Sequence, residues 1–174
     1  RINIINNDLS HVHRWCQHNH MSINSDKSNV MFISSRQNRQ FLQSNPEIPY
    51  HDSVIKSCST AKLLCVTVNN SLSWNDHIET VIKKCNTYLY ILSTENHKRF
   101  YKAYILPHFD FCCVIWGNCT HDLEEKLVRL QKGAARVIID CDFYTPSSTL
   151  FSDLKWMSFL ERVIYIYVKA IQMF

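Results

Sequence analysis

The sequence predicts an α+β chain: a small antiparallel β stub with a preceding helix, then a mainly α-helical region. Three observations lead there. Apolar residues recur at helical spacing over residues 8–20. Short β-prone runs follow between residues 30 and 68, and from residue 75 onward apolar positions return every three or four residues. The expected division is residues 1–70 and 71–174.

In the first helix Leu9, Val12, Trp15 and Cys16 form a stripe, with Asn7 or Asp8 as its cap. Residues 24–27 are polar turn chemistry, and Val30, Met31, Phe32 and Ile33 form a short β-prone run. Residues 37–49 are polar with two prolines and read as a loop or irregular hairpin arm. Residues 53–56 predict one more short strand, and residues 62–68 the strongest strand, ending in an Asn69-Asn70 turn.

Ser73 supplies the cap of the next helix, over residues 75–92, whose face carries Ile78, Val81, Ile82, Cys85, Leu89 and Leu92. Residues 98–116 predict a second helix kinked near Pro107, because proline lacks an amide donor and clashes with the preceding turn. Thr120 caps a third helix with Asp122, Glu124 and Glu125 in its first turn, where the helix dipole favours anions. Ser158 and Glu161 make the capping box of a last helix.

Composition narrows the classes. A chain of 174 residues with 46% hydrophobic and 12% aromatic content has material for a core and is no disordered tail. Only Gly117 and Gly133 are glycines, and no phosphate loop or dinucleotide fingerprint occurs. The formal charge of +4 is spread evenly, which permits nucleic-acid contact without demanding it. The eight cysteines lack framework spacing and sit among apolar residues, so buried reduced thiols in an intracellular protein, nuclear or cytoplasmic, are expected. No apolar stretch reaches the ~20 residues of a membrane span, so no membrane partner is expected. A first residue Arg1 and a last residue Phe174 inside a periodic run predict a chain cut from something longer.

Candidate chemistry is sparse. His13, Cys16 and His20 share one helix face, but zinc needs a fourth ligand and a paired motif that the sequence lacks. Asp140 and Asp142 make a D-x-D in a turn after a helix end, a setting for solvated carboxylates. No metal ligand is expected. Lys126, Arg129, Lys132 and Arg136 lie within roughly a third of one helix circumference, opposite Leu123, Leu127, Leu130, Ala134, Val137 and Ile138. Such a stripe tracks phosphates or is an ordinary solvated face; Asp122 and Glu125 dilute it.

Residues 61–85, AKLLCVTVNNSLSWNDHIETVIKKC, resemble the segment just past the palm in reverse transcriptases of non-LTR (LINE-type) retrotransposons. That family reads K-x-L-G-V, a loop, then L-x-W-x-x-H-I. Residues 8–33, DLSHVHRWCQHNHMSINSDKSNVMFI, resemble its motif D, D-L-x-x-(2–3)-W-x-x-x-N-x-M-x-I-N-x-x-K-(S/T)-x-x-M-x-F. FYKAYILPHFDFCCVIWG, residues 100–117, resembles L-Y-x-A-x-I-x-P-x-x-D-Y-C-x-x-V-W. LVRLQKGAARVI, residues 127–138, resembles L-x-x-L-Q-(K/R)-x-A-x-R-x-I. TLFSDLKWMSFLERVIY, residues 149–165, resembles L-x-x-L-x-W-x-x-(I/L)-x-x-R. Five blocks in the family's order cover nearly the whole chain.

The resemblance implies a palm remnant joined to a helical thumb-like or connection-like region. It implies that Lys27 is the motif D lysine, placed to give a proton or positive charge to the departing pyrophosphate. Read alone, a lysine in this polar turn is a solvated charge. Leu64 and Cys65 correspond to the primer grip that holds the growing 3′ end; the family has glycine at Cys65. The four cations of the third helix correspond to a thumb surface on an RNA template or an RNA–DNA or DNA duplex. Magnesium is expected for the full-length enzymes, held by motif A and F-x-D-D carboxylates. This chain has no D-D pair, so no cofactor and no polymerase activity are expected of it without the missing palm and fingers. The segment between Leu92 and Lys98 is also shorter than the family's. A small helical nucleic-acid-binding or protein-interaction module is the competing expectation.

Overall fold

The computed structural model describes residues 2–39, 47–50, 53–92 and 97–172. The middle of the polar loop expected at 37–49 and the shortened connection after Leu92 lie outside the described residues. The fold is α+β, as expected, and divides into two compact units, Arg1–Ser73 and Trp74–Phe174.

The first unit opens with α1, Ile2–His18. It starts before Asn7, whose carbonyl accepts a hydrogen bond from the Ser10 hydroxyl. Of the expected stripe only Cys16 is buried, while Val12 and Trp15 are exposed. The helix closes with a left-handed His20 (φ 55°). Met21 N–H donates to the Cys16 carbonyl at 2.8 Å and His20 N–H to Gln17 at 3.1 Å, a Schellman stop that glycine usually makes.

A 3₁₀ turn at Ser25–Lys27 leads into β1, Asn29–Val30. After the short α2, Arg36–Arg39, come β2, Ile48–Tyr50, and β3, Ser53–Ser57. The sheet order is β1-β3-β2. β2 pairs antiparallel with β3, Ile48 opposite Ile55, as expected. β1, however, runs parallel to β3 with Asn29 opposite Lys56, so this sheet is mixed. The β-prone run at Val30 pairs only at its first residue, and residues 31–35 are irregular. Pro49 lies in the edge strand β2, where a missing donor is tolerated. Ile48, Tyr50 and Ile55 are buried, and the Tyr50 hydroxyl meets His13 Nδ1 of α1 at 2.5 Å.

The strand expected over residues 62–68 is instead a hairpin. β4, Thr60–Leu63, and β5, Val66–Asn69, pair antiparallel, with Leu63 opposite Val66. The buried Asn69 organises the turn beyond: its Oδ1 accepts from the Ser71 and Ser73 amides, and its Nδ2 donates to the Ser73 hydroxyl at 2.8 Å. Ser73 therefore serves this turn, while the next helix begins two residues later.

The second unit is helical. It comprises α3, Asn75–Leu92, and α4, His97–Phe100, which passes into a π-helical turn at Tyr101–Ile105. Then come α5, Leu106–Asp110, and α6, Cys113–Trp116. The long α7, His121–Ile139, is followed by α8, Ser147–Leu154, and α9, Phe159–Gln172. The kink expected at Pro107 takes the form of the π turn: the wider turn relieves the clash between a proline ring and the carbonyl four residues back. Thr120 occupies the cap of α7 through its backbone, without a side-chain hydrogen bond. The α9 capping box is formed: Ser158 N–H donates to Glu161 Oε2 at 2.8 Å, and Glu161 N–H to Ser158 Oγ at 3.4 Å.

α3 packs on α7, with Ile78, Val81 and Cys85 of the one and Leu123, Leu127, Leu130 and Ala134 of the other buried. Trp116 is fully buried, donates its indole N–H to the Phe111 carbonyl at 2.9 Å, and stacks on Phe159 at 5.5 Å. His77 meets the Trp116 ring edge-on at 5.3 Å. Gly117 passes so close to α9 that a Cβ there would lie 2.8 Å from Val163 and 2.4 Å from the Cys113 carbonyl. All eight cysteines are free thiols, with Cys16, Cys85 and Cys113 buried. Burial pushes the Cys85 thiol up to about 12. Among the described residues no helix is long and apolar enough to cross a membrane.

Candidate nucleic-acid interface

Because α7 is continuous from His121 to Ile139, its four cations fall along one side. The 3.6-residue period alone puts Lys126, Arg129, Lys132 and Arg136 away from the buried leucines. Their environments differ. Lys126 and Arg129 are exposed, whereas Lys132 and Arg136 are half-buried. Arg129 Nη2 donates to Glu125 Oε2 at 2.7 Å, and that bond holds the Glu125 carboxyl below its usual range. Arg136 donates to the Phe143 carbonyl at 3.1 Å and lies 5.0 Å over the Phe143 ring. Its charge is thereby held against the turn after α7.

The opposite side departs from the expected apolar set. Val137 is 36% exposed and Ile138 half-buried, while Gln131 and Ala135 are buried instead. A face drawn from apolarity alone cannot place a buried amide. Gly133 lies on the cationic side with nothing within 4 Å of the position a Cβ would take.

In the first unit, Lys27 ends the 3₁₀ turn, where its backbone N–H donates to the Asn24 carboxamide at 3.1 Å. The Asn24 cap fixes the turn's backbone and leaves the Lys27 side chain exposed. Leu64 and Cys65 form the two-residue tip of the β4–β5 hairpin, exposed, with φ of 45° and 68°. Positive φ at both tip residues defines a type I′ turn, the connection whose twist matches that of paired strands. Glycine or asparagine ordinarily fills it, because a Cβ in the left-handed region costs roughly 1–2 kcal/mol. Cys65 therefore takes a conformation that favours glycine.

Sequence reasoning missed a cluster around Tyr101. The residues themselves stand in the quoted motifs, but periodicity gives them no chemical role. Tyr101 is 1% exposed and stacks on Trp156 with centroids 3.9 Å apart. Gln131 Nε2 donates to the Met157 carbonyl at 2.8 Å. Burial pushes the Tyr101 phenol well up, and the adjacent Gln131 restrains the shift. Tyr101 Oη and Gln131 Oε1 are both buried, and the two side chains are each other's polar neighbours. Both residues line a cavity of about 140 Å³, with Lys102, Lys155 and Arg162 also in its wall.

Among the described residues, no three His, Cys, Asp or Glu side chains converge where a metal ion could sit. Asp140 is the left-handed C-cap of α7, and the Asp142 carbonyl accepts from Thr145 in the turn that follows.

No family model and no solved structure matches the chain. Two curated proteins of Drosophila melanogaster do. One is a probable RNA-directed DNA polymerase from transposon X-element, 24% identical over an alignment of 160 residues that covers 86% of this chain and 17% of the relative. The other is a probable RNA-directed DNA polymerase from transposon BS, 22% identical over 120 residues, 63% of this chain and 13% of the relative. The chain thus spans less than a fifth of the length of either. Over most of its own length it is reverse transcriptase-like in sequence.

Proposed function

We propose that this chain is the template–primer-holding, thumb-side part of a retrotransposon-derived RNA-directed DNA polymerase, acting inside the cell. The observation that carries the reading is the cationic side of α7, with Lys126 and Arg129 exposed opposite a buried leucine face. A continuous helix holds such charges at the spacing needed to follow a phosphate backbone. The similarity to transposon polymerases makes a nucleic-acid partner the natural one for that side.

Within the same reading, Lys27 is the motif D-like lysine that supports departure of pyrophosphate, and Leu64 and Cys65 lie where a primer grip would touch the strand end. The sequence offers no D-D pair for a two-metal centre, so this reading assigns magnesium to no residue of this chain. Template–primer extension with magnesium or manganese should give no incorporation; incorporation would contradict this part of the reading. Titration of a short RNA–DNA hybrid tests the rest: affinity should fall steeply as salt rises, and no binding at low salt defeats it.

A second reading has its own observation. Leu160, Ile164, Val168 and Ile171 of α9 are exposed at helical spacing, as in a protein-interaction module. A folded chain that binds no hybrid even at low salt would favour it.

A further inference from the structure

A ledge of aromatic rings lies beside the core of the second unit. Tyr101, Ile105 and Phe109 are buried and form part of that core. The residue before each of them, Phe100, Tyr104 and His108, falls on the adjoining side of the α4–α5 run. Tyr88 of α3 meets all three, with ring centroids 6.4, 5.8 and 5.6 Å away, and lies nearly parallel to His108. Phe100 stacks on Tyr104 at 4.5 Å. The ledge is open to solvent: Tyr104 is 51% exposed and the other three residues are half-buried. Rings needed only for packing would be buried, as Tyr101 and Phe109 are.

The ground around these rings is cationic. Residues 80–109 carry Lys83, Lys84, Lys98, Arg99 and Lys102 against one carboxylate, Glu95. All five cations are exposed, and among the described residues none is ion-paired. Lys84 stands one helical turn before Tyr88 on the same side of α3. Burial lowers the His108 pKa and the Lys84 charge lowers it further, which places that ammonium beside the ledge. Asp76 and Glu79 lie about a third of a turn or more from Tyr88 by the helical period, and Asp110 is paired with Arg162.

Rings among unpaired cations fit bases joined by phosphates. An unpaired strand offers base faces for stacking and a charge at every linkage, whereas a duplex hides its base faces. We infer that this ledge receives single-stranded nucleic acid, with a base stacked on Tyr104 and the adjoining phosphates held by Lys84 and Arg99. The inference rests on the nucleic-acid reading above but uses residues apart from the cationic side of α7.

Anisotropy titration of the full chain with a labelled (dT)₁₂ oligomer tests this. Affinity should fall steeply as salt rises. Tyr104→Ala should weaken binding about fivefold or more, the effect of one lost base–ring stack, and Tyr104→Trp should restore it. Lys84→Glu/Arg99→Glu should weaken it about tenfold or more and reduce the log–log salt slope by about 1.4, roughly 0.7 for each phosphate contact. A blunt RNA–DNA hybrid should bind Tyr104→Ala as it binds the parent chain. No oligomer binding at low salt, indifference to Tyr104→Ala or to the double charge change, or equal losses on hybrid and oligomer overturns the inference. Competition by poly-glutamate as effective as that by unlabelled oligomer overturns it too, since an acidic peptide satisfies the cations and not the rings. Hybrid binding without oligomer binding leaves only the α7 reading standing, and oligomer binding without hybrid binding leaves only the ledge.

Discussion

Arg162 of α9 closes a bidentate ion pair on Asp110 at the end of α5: Nη2 donates to Oδ2 at 2.6 Å and Nε to Oδ1. The pair joins elements 52 residues apart, with side chains 27% and 31% exposed. Partial burial strengthens such a fork, and Asp110 raises the Arg162 pKa further. Both residues stand in the quoted polymerase-like motifs.

Arg162→Ala and Asp110→Ala should each cost about 2 kcal/mol in urea unfolding, the range of hydrogen bonds to charged groups. Arg162→Lys should recover little, since an ammonium cannot reproduce the planar fork. The double variant should lose less than the sum of the singles. Additive losses would mean the pair does not hold α9 in place.

His77 is 5% exposed, and burial, aided by Lys84, lowers its pKa; His108 shifts the same way for the same reasons. The folded state therefore binds fewer protons than the unfolded chain as pH drops below the ordinary histidine value of ~6.5. Stability is fully present above that value and is lost progressively as pH falls toward the lowered folded values. Urea midpoints compared at pH 7.5 and 5.5 should show the loss, and His77→Phe should reduce it. A midpoint that rises on acidification contradicts the buried placement of His77.

The two glycines should respond to alanine with opposite signs. Gly117→Ala drives a methyl against Val163 and the Cys113 carbonyl, and overpacking of this kind costs about 1–3 kcal/mol. Gly133→Ala meets open space inside α7 and should gain about 1 kcal/mol from helix propensity. Thermal unfolding of the two variants reads the difference. A stabilised Gly117→Ala would mean that α6 and α9 pack less closely than described.

Cys65→Gly should stabilise the β4–β5 hairpin by roughly 0.5–1 kcal/mol. Relief of the left-handed strain at φ 68° outweighs the added freedom of the unfolded glycine. Amide exchange at Leu63 and Val66 should slow. Faster exchange there would place the turn elsewhere.

The same hairpin shows where the sequence stops being legible. Leu63, Leu64, Cys65 and Val66 read as one apolar run, because neither tip residue is a customary turn residue and the strain is visible only as backbone geometry. Where local chemistry is strong, the sequence suffices: Ser158 and Glu161 form the anticipated box, and the α7 leucines are buried at their expected spacing. α8 passes unnoticed since it opens on Pro146 without a side-chain cap. The parallel pairing of β1 with β3 depends on partners 27 residues apart, which alternation of side chains cannot identify. Gln131 illustrates the limit for the site itself, a polar residue whose burial is decided by the Met157 carbonyl of a distant turn.

The central claim, that the cationic side of α7 holds a template–primer duplex, is tested most directly by the salt dependence of RNA–DNA hybrid binding in Lys126→Glu/Arg129→Glu. Both side chains are exposed, so the fold should survive the change. The claim predicts an affinity loss of about tenfold or more and a log–log salt slope reduced by about 2, one unit for each phosphate contact removed. Unchanged affinity with an unchanged slope would contradict it.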